Sequence, residues 1–184
     1  METQRLFVAL ALPDVVRSEL AAAMTPLAGV RWTPTENLHL TMRFIGERDA
    51  AERDRLADAL GRVRVEPFIL PVAGVGVFPT RGPAKVLWAG LGRAHTRLFQ
   101  LRKQIDEALL SVDLTLDVHN FQPHITLGRL GETYEPKALA KFLERHAKFE
   151  APPFRVSEFH LLSSERRGGA GPAYQAERTF PLEK

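Results

Sequence analysis

The chain contains two similar copies of one nine-residue segment. Residues 39–47 read His-Leu-Thr-Met-Arg-Phe-Ile-Gly-Glu and residues 124–132 read His-Ile-Thr-Leu-Gly-Arg-Leu-Gly-Glu, at an offset of 85. The identical positions pair His39 with His124, Thr41 with Thr126, Gly46 with Gly131 and Glu47 with Glu132. A chain that builds one His-x-Thr strand twice can place two imidazoles on opposite sides of one ligand, which is the arrangement that an acid–base pair requires.

Side-chain alternation predicts which way these residues point. Successive side chains of a strand face opposite sides of its sheet. In the first copy one face is apolar, with Leu38, Leu40, Met42 and Phe44, and the other carries His39, Thr41 and Arg43. In the second copy Ile125 and Leu127 alternate in the same way with His124, Thr126 and Gly128. Both His-x-Thr pairs are therefore predicted to point away from the core.

Length and composition predict one domain, residues 1–184, with two lobes and no linker between them. The chain has 184 residues and 45% hydrophobic content, which is ample for a core. It has no cysteine, which excludes disulfides, a thiol nucleophile and a cysteine-based zinc site, and is compatible with a reducing cytoplasm. The apolar run 6–12 ends at Pro13 and favours a buried strand over a signal peptide. No segment approaches the roughly 20 apolar residues of a membrane span.

The predicted elements alternate between strands and helices. Strands are expected at 5–12, 38–45, 68–78, 85–91, 123–130, 154–163 and 173–181, and helices near 14–27, 49–63, 93–112 and 136–147. Asp49 and Glu52 have the spacing of a helix N-cap and its return partner. Residues 168–172, rich in glycine, lack the Lys-Ser/Thr of a phosphate-binding loop and are interpreted as a hairpin turn. The offset of 85 predicts a duplicated βαβ-type unit, with two sheets or half-sheets related by an approximate two-fold axis.

The charge is weakly basic and unevenly distributed. The formal net charge is +3, and residues 67–105 contain no acidic side chain. The basic residues of that stretch are Arg81, Lys85, Arg93, Arg97, Arg102 and Lys103, and a second basic pair is Arg166-Arg167. Such patches fit a polyanionic partner, and from charge alone they equally fit solvated basic surfaces.

Taken in order, several segments resemble one family. They are Arg5-Leu-Phe-Val-Ala-Leu, Val30-Arg-Trp32, Glu36-Asn-Leu-His-Leu-Thr41, Gly76-Val-Phe-Pro79, Val86-Leu-Trp-Ala89, Pro123-His-Ile-Thr-Leu127 and the ending from Ser163-Ser-Glu165 to Phe180. The chain resembles the 2H phosphoesterase superfamily, and more narrowly the RNA 2′,3′-cyclic phosphodiesterases, also called LigT or 2′-5′ RNA ligase-like proteins. The resemblance implies a bilobal α+β fold in which two mostly antiparallel sheets flank a central cleft, with the helices outside.

The resemblance also implies the chemistry of the two histidines. It assigns His39 as the general acid that protonates the leaving 3′ oxygen and His124 as the general base that activates water. Thr41 and Thr126 fall on the phosphate-holding positions. The residue types alone agree that an imidazole and an imidazolium suit the two roles near pH 7, without saying which is which. No cofactor or metal is expected, because a cyclic phosphodiester carries a single negative charge.

Three further residues are candidate substrate contacts. The two copies differ where Arg43 is matched by Gly128, and where Phe44 is matched by Arg129. Regular alternation places Arg43 on the face of the histidines and favours it as a phosphate contact, whereas Arg129 joins that face only if its strand bulges after Gly128. Phe7, on the first strand, is a candidate for stacking a base, with core packing as the alternative. The other histidines do not have the spacing of a zinc site.

The leading hypothesis is a metal-independent, monomeric hydrolase of RNA ends bearing a 2′,3′-cyclic phosphate. Within the same superfamily, a small cyclic nucleotide or the reversible 2′-5′ joining of tRNA halves would use the same histidines. A non-enzymatic RNA-binding module is the alternative from another class. The presence of both histidines and both threonines argues against a degenerate site.

Overall fold

The computed structural model describes residues 3–93, 96–117, 120–167 and 171–184. Its strands are β1 (Gln4–Ala11), β2 (Val30–Trp32), β3 (His39–Arg48), β4 (Phe68–Ala73), β5 (Val75–Phe78), β6 (Val86–Ala89), β7 (Ile125–Leu130), β8 (Glu150–Val156), β9 (Glu158–Arg167) and β10 (Gly171–Pro181). Its helices are α1 (Asp14–Ala23), α2 (Ala50–Leu60), α3 (Thr96–Leu110) and α4 (Pro136–Arg145), with a 3₁₀ turn at Thr35–Asn37. The α+β class is confirmed. The side chains of Arg166 and Arg167 and most of the predicted turn at 168–172 lie outside the described residues.

The strands form two antiparallel sheets, as predicted, but the strands are divided between them differently. The large sheet has the order β10-β9-β1-β3-β7-β6-β5, and β2 also pairs with β7. The second sheet contains only β4 and β8. The strand predicted at 68–78 is split because Gly74 adopts φ of 77°, a left-handed conformation that favours glycine. Consequently β5 and β6 form the hairpin, while β4 pairs with β8 in the second sheet.

The duplication seen in the sequence is also present in the fold. When 85 is added to the residue numbers of the first copy, the range of α1 falls within that of α3 and the range of β3 includes that of β7. The range of α2 then matches that of α4 to within one residue. In the sheet, β3 and β7 are neighbours that meet at one ladder pair, Leu40 with Ile125. Strands β1 and β9 follow on the side of β3 and strands β6 and β5 on the side of β7, while β10 and β2 have no counterparts. The two copies thus contribute neighbouring halves of the large sheet, and an approximate two-fold axis between them stays a prediction. That residues 1–184 form one domain with two lobes stays a prediction.

Apolar side chains from both copies share one core. Leu40 and Ile125 are fully buried, and so are Leu98, Leu101, Ile105 and Leu109 along α3. Burial of one such side chain stabilises the fold by about 1.5–3 kcal/mol. Helix α2 begins with the predicted capping box, in which Asp49 accepts from the Glu52 amide and Glu52 accepts from the Asp49 amide. Within the described ranges, no helix has the length and apolar character needed to cross a bilayer.

Candidate active site

The junction of β3 and β7 brings the two His-x-Thr motifs onto one face of the sheet. Because Leu40 and Ile125 are paired and buried, the residues on either side of them face away from the core. The antiparallel register sets His39 across from Thr126 and Thr41 across from His124. The two histidines are therefore diagonal neighbours across the two strands, and side chains in such positions are about 7–8 Å apart. We call the face that carries these four side chains the site face, and the opposite one the core face.

Both imidazoles are oriented by the same type of hydrogen bond. The Nδ1 atom of His39 lies 2.7 Å from the Asn37 carbonyl oxygen, and that of His124 lies 2.7 Å from the Gln122 carbonyl oxygen. A carbonyl oxygen only accepts, so Nδ1 carries the proton in both rings and Nε2 is the nitrogen that titrates. The Nε2 atom of His39 lies 3.0 Å from Thr41 Oγ1, whose hydroxyl donates to the neutral ring. Among the described residues, none hydrogen-bonds to Nε2 of His124.

Aromatic rings surround the two imidazoles unequally. His39 contacts Phe7 and Tyr174, each with ring centroids 5.2 Å apart, and His124 contacts Phe78 at 5.1 Å. Burial lowers the pKa of His39 from its ordinary value, the bond to the Asn37 carbonyl opposes this, and the charge of His124 lowers the pKa further. His39 is therefore mostly neutral at neutral pH in the free protein.

Phe7 supports His39 from the sheet. Its side chain is 3% exposed, and its ring lies 5.0 Å from that of Tyr174 and 6.2 Å from that of Phe44. Stacking of a base needs an accessible ring face, which Phe7 does not offer. The hypothesis that Phe7 stacks a base is therefore replaced by the packing alternative.

A bulge in β3 reverses the predicted position of Arg43. Thr41 pairs with Ala9 and Arg43 pairs with Val8, so Met42 is an extra residue between two consecutive positions of β1. An inserted residue shifts the side-chain alternation beyond it by one position. The prediction that Arg43 shares the site face is wrong: it lies on the core face with Val8.

On the core face Arg43 is part of an ion-pair network. Its guanidinium donates to both carboxylate oxygens of Asp106 on α3, at 2.7 and 2.6 Å, and to the Asp117 carbonyl at 3.0 Å. Arg102 donates to the same carboxylate at 2.8 Å and also to the carbonyl oxygen of Met42, the bulged residue. Arg43 and Arg102 thus fasten α3 to the bulged strand, and Arg43 is not available to a phosphate on the site face.

A second bulge lies at the equivalent position of β7. Thr126 pairs with Trp88 and Gly128 pairs with Leu87, so Leu127 is the extra residue, at an offset of 85 from the first bulge. The sequence required a bulge after Gly128 to place Arg129 on the site face. The bulge lies one residue before Gly128 instead, and it has the same consequence: Gly128 pairs on the core face and Arg129, opposite Val86, lies on the site face. The electrostatics of Tyr174 agree: burial raises the pKa of its phenol, and the nearby charges of Arg129 and Arg5 act in the opposite direction.

The same pair of bulges exposes a residue that sequence reasoning missed. Phe44 pairs with Phe7 and therefore lies on the site face, where it is 63% exposed. It occupies the position in the first copy that Arg129 takes in the second. The site face thus carries an apolar ring beyond one His-x-Thr motif and a guanidinium beyond the other. The sequence repeat pairs Phe44 with Arg129, but regular side-chain alternation predicts that both lie on the core face.

The basic stretch is partly neutralised by acidic side chains from outside it. Arg97 pairs with Glu66, Arg102 with Asp106, and Lys103 lies 3.6 Å from Glu107. Arg81, Lys85 and Arg93 are exposed. The stretch therefore presents less positive charge than its sequence suggests. Within the described part of the chain, no three His, Asp or Glu side chains are grouped so as to hold a metal ion.

Comparison with known proteins identifies the family. The model of the 2′-5′ RNA ligase superfamily matches residues 12–168. The chain belongs to this superfamily. Among members of the superfamily it is similar to the RNA 2′,3′-cyclic phosphodiesterase of Archaeoglobus fulgidus, with 30% identity over 179 residues that cover 96% of this chain and 99% of that protein. The protein of the same name from Thermus thermophilus is 37% identical over 134 residues, or 68% of each chain.

The fold of this superfamily member matches a solved structure over its full length. LigT from E. coli in its apo form superimposes with a TM-score of 0.79 and 26% identity, covering 100% of both chains. LigT has also been solved in complexes with 3′-AMP and with phosphate. The resemblance identified from the sequence motifs is thereby confirmed.

Proposed function

We propose that this protein hydrolyses RNA 2′,3′-cyclic phosphate ends to a 2′-phosphomonoester, with His39 and His124 as the acid–base pair. The observation that carries the proposal is the placement of both imidazoles on one face, each with Nδ1 held by a carbonyl and Nε2 left to exchange protons. Relatives that share this chain's full length carry the name RNA 2′,3′-cyclic phosphodiesterase. We further infer that the protein acts as a monomer in the cytoplasm, which suits a chain without cysteine.

In the proposed reaction His124 Nε2 accepts a proton from water while the water oxygen attacks phosphorus. The bond from phosphorus to the 3′ oxygen breaks, and His39 Nε2 gives that oxygen its proton. The ring opens to a 2′-phosphomonoester and a free 3′ hydroxyl, with one proton taken up and one delivered. His39 must be protonated first. The negative charge of the bound phosphate favours this, because an adjacent anion raises the pKa of an imidazole.

The threonines and Arg129 complete the proposed phosphate site. The Thr41 hydroxyl, which donates to His39 in the free protein, would turn to a phosphate oxygen, and Thr126 would donate from the other strand. Hydroxyl donors of this kind stabilise charge that develops on the phosphate oxygens during attack. Arg129 supplies a positive charge on the same face and is the proposed ionic contact in place of Arg43.

Phe44 is the proposed stacking platform for a base. Replacing it with alanine is expected to raise KM for a cyclic-phosphate oligonucleotide roughly 5- to 150-fold, since stacking on an aromatic ring contributes about 1–3 kcal/mol per base. The matched control is Phe99→Ala, which removes a ring that is 46% exposed on α3 and contacts Phe121. Steady-state kinetics with both variants decide the matter. An equal KM for the Phe44 and Phe99 variants would contradict the stacking role.

The direct test of function uses two substrates, a 2′,3′-cyclic mononucleotide and an oligonucleotide ending in the same group. Hydrolysis of the oligonucleotide to a 2′-phosphate, with the lower KM of the two, is the expected result. A preference for the mononucleotide would favour a small-molecule phosphodiesterase. Formation of a 2′-5′ bond with a second RNA bearing a 5′ hydroxyl would favour ligation. Binding without turnover of either substrate would leave only an RNA-binding module.

Activity is also expected to survive an excess of EDTA, because imidazoles and hydroxyl groups are proposed to do the chemistry. The measurement is the oligonucleotide rate before and after chelation, followed by readdition of a divalent ion. Loss of activity that magnesium or zinc restores would point to metal-assisted hydrolysis.

A further inference from the structure

The environments of the two histidines are alike in the main chain and different in one side chain. Asn37 and Gln122 occupy equivalent positions in the two copies, and each offers its carbonyl to the Nδ1 atom of a histidine two residues later. The side chain of Gln122 is exposed, and no hydrogen bond from it is found within the described residues. The side chain of Asn37 is buried, with 9% exposure.

The buried amide of Asn37 makes a contact across the fold. Its Nδ2 atom donates to the main-chain carbonyl of Pro172 at 2.7 Å, over a separation of 135 residues. Pro172 lies on β10 and pairs with Arg166 near the end of the β9–β10 hairpin. The hydrogen bond therefore ties this hairpin to the segment that immediately precedes β3.

The same hairpin brings an aromatic ring against the first histidine. Tyr174, two residues after Pro172, meets the His39 ring edge-on, at 5.2 Å and 88°. It also meets Phe7 at 5.0 Å, so that His39 is enclosed between a ring from β1 and a ring from β10. The enclosure of His39 depends on where the hairpin lies. The ladder between β1 and β9 holds β9 as far as Ser164. The Asn37 amide adds a side-chain hydrogen bond to the end of the hairpin that carries Tyr174.

We propose that Asn37 is a positioning residue that couples the β9–β10 hairpin to the orientation of His39. Its carbonyl fixes Nδ1 as the protonated nitrogen, and its amide holds the hairpin that encloses the ring. Gln122 provides only the carbonyl, so His124 does not depend on the side chain at that position. The consequence for turnover rests on the proposed function, whereas the effect on the imidazole does not.

The charged and titratable groups around His39 decide what loss of this contact would do. His124 lies immediately before β7 and Tyr174 lies on β10, and Arg129 and Arg5 lie near the Tyr174 phenol. Burial is the largest cause of the lowered pKa of His39. Release of the hairpin would admit water to the ring, and the pKa of His39 would rise towards its ordinary value.

The test is Asn37→Leu, which keeps the branched shape of the side chain and removes the amide donor, with Gln122→Leu as the control. Titration of the substrate-free protein, followed by NMR of the imidazole nitrogens, is expected to show a higher pKa for His39 in the first variant. In the second variant both histidines should titrate as in the parent. His146, at the end of α4 and outside the hairpin, has its ring centroid 4.5 Å from that of Phe142; it should be unchanged in both and reports on the fold.

Kinetics give the second readout. If the proposed function holds, Asn37→Leu should lower kcat by up to about 10²-fold, the scale expected for a misplaced catalytic group, with KM nearly unchanged. An unchanged His39 titration in Asn37→Leu, or an equal shift of His124 in Gln122→Leu, would overturn the proposal whatever the activity. Should the His146 signal show that Asn37→Leu is misfolded, the smaller Asn37→Ala variant decides by the same titration.

Discussion

Alanine at His39 or His124 is expected to lower kcat by about 10²–10⁴-fold with an oligonucleotide ending in a 2′,3′-cyclic phosphate. Each imidazole is proposed to carry one proton transfer, and neither ring has a substitute on the site face within the described residues. The double variant should be scarcely slower than the worse single variant, because the two groups act as a unit. The measurement is single-turnover hydrolysis, which separates the chemical step from product release.

The control is His146→Ala, at the end of α4, where the ring packs on Phe142 away from the site. That variant should retain the parent rate. The parent pH profile should be bell-shaped, with both limbs belonging to the coupled pair. Because bound phosphate raises the pKa values of nearby imidazoles, the limbs of kcat should lie at higher pH than those of kcat/KM, which reports the free enzyme. Full activity of either His39→Ala or His124→Ala would remove that residue from the mechanism.

Valine at Thr41 or Thr126 is expected to lower kcat by about 10²–10³-fold, the scale for removal of one donor to a developing oxyanion. The change keeps the branched shape that suits a strand and removes only the hydroxyl. Loss of Thr41 also removes the donor that stabilises the neutral His39 ring. Protonation of that ring then becomes easier, so the loss of activity should be smaller at pH values where the ring is neutral in the parent.

Thr179→Val is the matched control for the threonines, since its hydroxyl lies on the same sheet but bonds to His160. Its rate should match the parent. Since the hydroxyl contacts are proposed to strengthen in the transition state, kcat should fall more than KM rises. A rise in KM alone, with kcat intact, would reassign Thr41 and Thr126 to substrate binding without a part in the chemical step.

Local patterns in the sequence were sufficient for the features that depend on near neighbours. The capping box at Asp49 and Glu52 needs only three residues of separation, and it formed as expected. The outward direction of His39 and His124 follows from a period of two that holds up to each threonine. The duplication itself, visible as an offset of 85, predicted two equivalent strands whose helices also correspond.

The tertiary structure decided which side chains beyond Thr41 and Thr126 lie on the site face. Met42 and Leu127 are apolar and would suit the core in a regular strand as well as in a bulge, so no hydrophobic pattern signals the extra residue. The groups that accommodate each bulge come from elsewhere: Arg102 donates to the Met42 carbonyl, and the Thr33 amide donates to that of Leu127 at 2.8 Å. Phe44 and Arg129 therefore replace Arg43 on the site face.

The sequence by itself determined the two His-x-Thr strands, their outward histidines and the family. Only the tertiary structure decided that β3 and β7 lie side by side, that both strands are bulged, and that Asn37 reaches Pro172. Strand adjacency, bulges and side-chain contacts across the fold depend on residues far apart along the chain. The packing and hydrogen bonds that stabilise these features form only when the whole sheet is assembled. Local residue propensities therefore do not predict them.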